Sequence, residues 1–241
     1  QAANHGVAYT RNRGIASSCG EYIAICDADD YWYPMKLARQ VEVMRETQSD
    51  LVFSLAEVKT PEGRTTRMLP RAITEEMFSS PRKSFVRVLR FNVAVCGSNI
   101  LWKRGSMQQG FSEHLCPGDD WDFLLWMARH RKICLCPHVD VRYQRRKGSI
   151  TGVHPHLPTL YLSVFKKWIK QVSPGEWNEW QALQGWAEKL QGTLCPCHMT
   201  MTSPYDANWE EMADCHRAQS QLSRKYEADI KKELRRQKGN A

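Results

Sequence analysis

Gly20-Glu-Tyr-Ile-Ala-Ile-Cys-Asp-Ala-Asp-Asp-Tyr-Trp-Tyr-Pro34 is the stretch from which the rest of the chain can be read. Tyr22 to Cys26 is a short apolar run that ends on Asp27, Asp29 and Asp30. Its length and make-up predict a buried strand whose carboxyl end carries the acids. Three carboxylates within four residues repel one another and raise each other's pKa, so a cation is the natural compensation. Oxygen ligands at this density suit a hard divalent ion, Mn²⁺ or Mg²⁺, held jointly with phosphate oxygens. The same acids also read as a plain acidic turn capping the helix that follows. Pro34 fits the first turn of that helix, and Leu37, Val41 and Met44 recur at helical spacing on one expected face.

Outward from this stretch, short apolar runs alternate with helical periodicity from Gly14 to Lys147, which predicts an α/β fold with a mixed, mostly parallel sheet. Leu51 to Leu55 reads as the next strand, Pro61-Glu-Gly-Arg64 as a turn, and Val93 to Trp102 as a longer strand interrupted by Gly97. Asp119 or Asp120 then caps a helix on which Trp121, Leu124, Leu125 and Ala128 share a face, and Val139 to Tyr143 closes the region as a strand. Past Thr151 the pattern changes. Leu157 to Val172 and Glu176 to Leu190 read as two helices rich in Trp (Trp168, Trp177, Trp180, Trp186), Cys195 to Tyr205 as a loop, and Asn208 onward as helical. Gly152, Pro155 and Pro158 mark a boundary, giving a domain over 1–151 and a helical C-terminal extension over 152–241.

With 241 residues, 42% hydrophobic and 25% charged, the chain is long enough to bury a core and falls in the globular range. No apolar run reaches the length of a membrane span, and no leader-like segment opens the sequence, so a cytoplasmic location is expected. The nine cysteines, an odd number, suit thiols in a reducing compartment better than a disulfide framework. Much of the net charge of +8 is local: eight basic residues face three acidic ones between Arg217 and Lys238. Such a tail reads as a solvated helix face, or as a peripheral contact with the anionic inner face of a membrane. No recognition motif for nucleic acid accompanies it.

Residues further along the chain extend the acidic signal. Asn4-His-Gly6, Arg11-Asn12-Arg-Gly14-Ile15, Gly20-Glu-Tyr-Ile23, Asp27-Ala-Asp-Asp30 and Tyr31-Trp-Tyr-Pro34 together resemble the central signature of family 2 glycosyltransferases. The resemblance implies a GT-A-like fold, lacking its opening nucleotide-binding strand and first Asp, which would precede Gln1; a chain starting at Gln1 is then expected to have an incomplete donor pocket and to be inactive alone. It implies that Asp27 and Asp29 bind the ribose and the metal on the diphosphate of a sugar nucleotide, with Asp30 as a further ligand. It places Arg11 and Asn12 on the donor side, beside a plainer role for both as a helix cap and ion pair.

Two further blocks are similar to the same family. Gly97-Ser98-Asn99 through Trp102-Lys-Arg104, Gly110-Phe111-Ser-Glu113 and Gly118-Asp119-Asp120-Trp121-Asp122 look like its acceptor-side segment. A carboxylate at a helix start facing a cleft is positioned to take a proton from an acceptor hydroxyl. The resemblance assigns that base role to Asp120, with Asp119 binding acceptor or sharing the role; the plainer reading is that both cap the helix. Tyr143-Gln-Arg-Arg-Lys-Gly-Ser149 departs from the family, with Arg146 where a His is usual and Gln144 where an Arg is usual. Arg146 cannot ligate a metal, but its planar fork suits phosphate oxygens.

The function implied is transfer of a sugar from a nucleoside diphosphate sugar, with inversion and a divalent metal, to a glycan, lipid-linked or protein acceptor, as in polysaccharide or cell-envelope synthesis. The alternative is a non-catalytic relative that keeps a sugar or nucleotide site. A third feature, Cys195-Pro-Cys197-His198 with Cys215-His216, has ligands enough for a structural zinc, although the Cys-x-Cys spacing is tighter than usual.

Overall fold

Leu51 and Phe53 alternate with Val52 and Ser54 along the first half of strand β3 (Leu51–Lys59), and the alternation sets the layers of the protein. Leu51 and Phe53 point into the larger core, while Val52 points into a smaller one with Met44, Leu101 and Cys136. The neighbours β5 (Ile100–Lys103) and β6 (Ile133–Gln144) obey the same period, with Ile100, Trp102, Ile133 and Leu135 on the first face and Leu101 and Cys136 on the second. In this computed structural model residues 4–70, 75–90, 92–93, 96–115 and 118–146 are described, with 164, 167–168, 171–173 and 175–176.

Three helices lie along the chain with the larger core: α1 (Val7–Ser17), α3 (Pro81–Arg90) and α4 (Asp119–His130). Ala8, Phe85, Val88, Leu89, Phe123, Leu124 and Ala128 are their buried contributions. Helix α2 (Lys36–Thr47) covers the second face through Met44 and Val41. The expected face of α2 is corrected in one respect: Leu37 is 43% exposed, and Lys36, Gln40 and Met44 are the buried residues. Polar side chains take that face because they find partners there. Lys36 Nζ donates to Gln40 Oε1 at 2.6 Å and lies 4.5 Å from the centre of the Trp32 ring, and Gln40 Nε2 donates to the Asn99 carbonyl at 2.9 Å.

The six-stranded sheet runs β1-β5-β3-β6-β2, with β1 at Tyr22–Ala24 and β2 at Tyr31–Trp32; β4 (Thr65–Leu69) pairs with the second half of β3. It is mixed, as expected, but not mostly parallel. Among the described residues β3 and β6 form the one parallel pair, and the other pairings are antiparallel. Strand–helix alternation does not fix direction by itself. The tight turn at Pro61–Arg64, where Gly63 takes φ 81°, forces β4 back against β3, whereas α4 returns the chain so that β6 starts beside Leu51. The β3–β6 register slips between Ser54 and Leu55, opposite the exposed Pro137 and His138, because proline has no N–H for the ladder.

Two expected strands differ in extent. The strand expected over Tyr22 to Cys26 covers Tyr22–Ala24 at one end of the sheet, with Ile23 buried in the larger core, Tyr22 and Ala24 half-buried against the smaller one, and Cys26 exposed. In place of a strand from Val93, a 3₁₀ turn at Gly97–Asn99 precedes β5. The turn brings Asn99 inside, where its amide donates to the carbonyls of Ser54 (2.8 Å) and Val93 (3.2 Å). Helices α1 and α3 are not among the expected elements, although Ser80-Pro81 followed by Phe85, Val88 and Leu89 at helical spacing marks the start and buried face of α3.

Of the residues past 151, Val164, Trp168 and Val172 sit in the larger core. Trp168 packs 6.0 Å from the Phe85 ring and donates to Asp122 at 2.7 Å. The rest of the expected helical extension, the Cys195, Cys197 and His198 cluster with Cys215 and His216, and the basic tail lie outside the described residues.

Candidate active site

Four segments distant in the chain meet at one end of the sheet: α1, the turn after β1, the Gly97–Asn99 turn, and the start of α4. Arg11 joins them. Its Nη1 donates to Asp119 Oδ2 at 2.8 Å, and its Nη2 reaches both oxygens of Asp27 at 3.0 and 3.1 Å. The Arg11 side chain is only 10% exposed and that of Asp119 5%, while Asp27 remains 31% exposed. Burial opposes charge on the guanidinium, but Asp27, Asp119 and Asp120 outweigh it and raise the Arg11 pKa. Gly97 makes the approach possible, since a Cβ there would stand 2.8 Å from Arg11 Nη2.

Asn12, one position on, is committed to the acceptor-side loop. Its Oδ1 accepts from the Phe111 N–H at 2.7 Å, and its Nδ2 donates to the Phe111 carbonyl and to Glu113 Oε1, both at 2.9 Å. A Cβ on Gly110 would fall 2.5 Å from that Oδ1, so the clamp depends on glycine.

The acids after β1 have different surroundings. The Asp27 N–H donates to Ser98 Oγ at 2.8 Å, which fixes the turn. Asp29 pairs at 3.3 Å with Nε of Arg146, which is exposed two residues past the end of β6. Asp30 accepts from the Gln144 N–H at 3.3 Å through Oδ1, while its Oδ2 is buried without a hydrogen-bond partner. Burial pushes the Asp30 carboxyl up to about 6. In the sequence Ser98 stands out only as part of the Gly97-Ser98-Asn99 block.

At the start of α4, Asp119 and Asp120 lie where the helix dipole favours negative charge. Gly118 takes the N-cap position, with no side-chain cap. Asp120 Oδ1 accepts from the Trp121 N–H at 2.6 Å. Burial and then Asp119 push the Asp120 carboxyl up to about 7, with Arg11 opposing. Asp119 is also raised by burial, with Arg11 as the main restraint.

Among the described residues no group of three His, Cys, Asp or Glu side chains is set to hold a metal ion. A small divalent ion bound together with substrate phosphates needs only one or two carboxylates, so the all-oxygen set still fits such an ion. Arg11 takes both oxygens of Asp27, which leaves Asp29, 34% exposed, as the accessible carboxylate; the unpartnered oxygen of Asp30 is buried beside it in the chain.

The chain resembles known proteins in sequence and in fold. Residues 1–110 match the model of Glycosyl transferase family 2. The succinoglycan biosynthesis protein ExoO of Rhizobium meliloti (strain 1021) is 27% identical over 160 residues, or 62% of this chain and 45% of that protein. WfaP of Escherichia coli, a UDP-Glc:alpha-D-GlcNAc-diphosphoundecaprenol beta-1,3-glucosyltransferase, is 26% identical over 155 residues, or 61% of this chain and 55% of that protein. The chain thus spans about half the length of these curated relatives. Among solved structures, S. aureus TarS 1–349 in complex with UDP-GlcNAc matches with a TM-score of 0.50 at 17% identity, covering 73% of this chain and 50% of that one. That likeness gives the fold as GT-A-like. The family match ends before α4, and Arg11, inside it, is the residue that grips Asp119 beyond it. Over residues 1–110, a little under half of its length, the chain is similar to glycosyltransferase family 2.

Proposed function

We propose that the protein transfers a sugar from a nucleoside diphosphate sugar to an acceptor hydroxyl with inversion, assisted by Mn²⁺ or Mg²⁺, with Asp120 as general base. The observation that carries this is the cluster of Asp27, Arg11, Asp119 and Asp120, in which one arginine ties the family's acidic turn to the pair of carboxylates at the start of α4. A base works best with its pKa close to the working pH, and Asp120 at about 7 meets that condition. Its carboxylate takes the acceptor's hydroxyl proton while the freed oxygen lone pair bonds to the anomeric carbon. The bond from that carbon to the diphosphate oxygen breaks on the opposite face, its electron pair leaving with the diphosphate. One displacement of this kind inverts the centre.

A divalent ion held by Asp29 and Asp30 would supply charge neutralisation for the departing diphosphate. Arg146, exposed and beside Asp29, adds a cation suited to the same phosphate oxygens. The relatives' names mention UDP-Glc and, for a solved structure, UDP-GlcNAc, so a UDP-sugar is the donor class, and a polysaccharide or cell-envelope glycan or its lipid-linked precursor is the acceptor class. No helix among the described residues is long and apolar enough to cross a membrane. Peripheral work at the inner face of a membrane, held by the basic tail, suits such an acceptor. A non-catalytic relative would have no need for this concentration of carboxylates around one arginine, which favours the enzyme.

The test is release of UDP from UDP-glucose or UDP-GlcNAc by the full-length protein, with water in place of the acceptor, together with equilibrium binding of UDP in the presence of Mn²⁺. Asp120→Asn is expected to lower turnover by about 10²- to 10⁴-fold and leave UDP binding intact. Asp29→Ala is expected to weaken the Mn²⁺-dependent part of UDP binding. Full turnover by Asp120→Asn would remove the base assignment, and UDP binding indifferent to Mn²⁺ would remove the metal.

A further inference from the structure

By resemblance the base role falls on Asp120 with Asp119 beside it, and among the described residues a guanidinium lies on Asp119 and not on Asp120. Asp119 Oδ2 receives Arg11 Nη1 at 2.8 Å in a place where its side chain is 5% exposed. Among the described residues no such partner binds the Asp120 carboxylate, which accepts a hydrogen bond from the N–H of Trp121 beside it in the chain. Arg11 in turn cannot turn toward a substrate without giving up two acids, because its other nitrogen lies on both oxygens of Asp27. The Phe111 ring, 5.4 Å from its Cζ, and Gly97, whose missing Cβ leaves the space, hold it from two further sides.

Resting on the proposed transferase reading, we infer that Arg11 is a positioning residue that divides the acidic pair: it fixes Asp119 as a permanent structural anion and leaves Asp120 alone to accept the proton. The same residue ties the acceptor-side helix α4 to the donor-side turn after β1, so the base and the leaving group keep one relative placement. Asp119 then has no part in proton transfer, and Arg11 has no contact with the donor. Removing Arg11 leaves Asp119 buried and unpaired, next to Asp120, and a buried charge without its partner is strongly unfavourable. Its proton then becomes shared with Asp120, because two carboxylates so close do not ionise independently.

The experiment compares kcat and KM for UDP release from UDP-glucose in Arg11→Met, Arg11→Lys, Asp119→Asn, the double variant Arg11→Met/Asp119→Asn, and Gly97→Ala. The last crowds the guanidinium while keeping every charge, and so serves if Arg11→Met does not fold. Arg11→Met is expected to lose about 10²-fold in kcat, the size of loss that follows a misplaced catalytic group, with donor KM changed little. Arg11→Lys, with one charge but no fork, is expected to lie between it and the wild type. The double variant is expected to exceed Arg11→Met by about 10-fold, because the stranded carboxylate is gone. Gly97→Ala is expected to follow Arg11→Met in direction. A rise in donor KM at unchanged kcat in Arg11→Met, or a double variant whose loss is the product of the single losses, would overturn the inference. Asp120→Asn run alongside separates the two levels: if it is inactive and the Arg11–Asp119 coupling is absent, the positioning role alone fails. If it is active, the base assignment fails with it.

Discussion

Asp120 and Asp119 show how much one neighbour decides. Both are carboxylates at the same helix start, and both are pushed upward by burial; of the two, Asp119 is the one that Arg11 bonds. The sign for activity follows from the role. A base accepts a proton only when ionised, so turnover of the full-length protein should rise with pH through about 7 and level off above it, following the Asp120 carboxyl. The groups that bear on it are Asp119, which holds its pKa up, Arg11, which holds it down, and the more distant Asp27. Initial rates of UDP release measured from pH 5 to 9 check this. A profile flat across 6 to 8 would show that another group, or none, takes the proton.

Helix α2 presents a lysine where its sequence pattern offers a leucine. Lys36 is 1% exposed, and burial lowers its pKa to about 8, with Asp140 as the largest opposing charge. The folded pKa lies below the ordinary 10.5, so the unfolded chain holds more protons between about pH 8 and pH 10.5. Stability from this group is therefore present above 10.5 and is lost as pH falls through 8. Between pH 7.5 and 9.5 the wild type should gain about 2 kcal/mol relative to Lys36→Met, since one pKa unit corresponds to about 1.4 kcal/mol. Urea unfolding of both proteins at the two pH values reads that difference, and thiols and tyrosines common to both cancel. Equal pH responses would mean that Lys36 is paired well enough to stay charged without penalty.

For the molecule as a whole, the core does not stop where the sequence style changes. Trp168 is 2% exposed, packs against Phe85 of α3 and reaches Asp122 of α4 through its indole N–H. Arg129 of α4 pairs with Glu176 and lies 4.3 Å from the centre of the Phe85 ring. Trp168→Ala should therefore cost about 3 to 5 kcal/mol, the range for removing a large buried aromatic, and should leave the Asp122 carboxylate short of a donor. Denaturant unfolding followed by far-UV circular dichroism measures it. A loss under 1 kcal/mol would mean that the segment beyond 151 is packed on the domain without supporting it.

The order of residues was enough to locate the acidic turn, the β3 and β6 strands, the Pro61–Arg64 turn and the buried face of α4, because each depends on local periodicity and turn chemistry. It also brought out Asp27, Asp29, Asp30, Asp119, Asp120, Arg11, Asn12 and Arg146 as polar residues in compact blocks. It could not give strand direction, since the pattern of a strand is the same read either way along the sheet. Nor could it show that α2 turns Lys36 and Gln40 inward, because partners on Trp32 and Asn99 exist only once β2 and the Gly97–Asn99 turn are in place. Arg11 and Asp119 are 108 positions apart, and no local rule links them. Their pairing, and with it the difference between two adjacent aspartates, arises when the sheet brings α1 and α4 to the same end and Gly97 leaves room for the guanidinium between them.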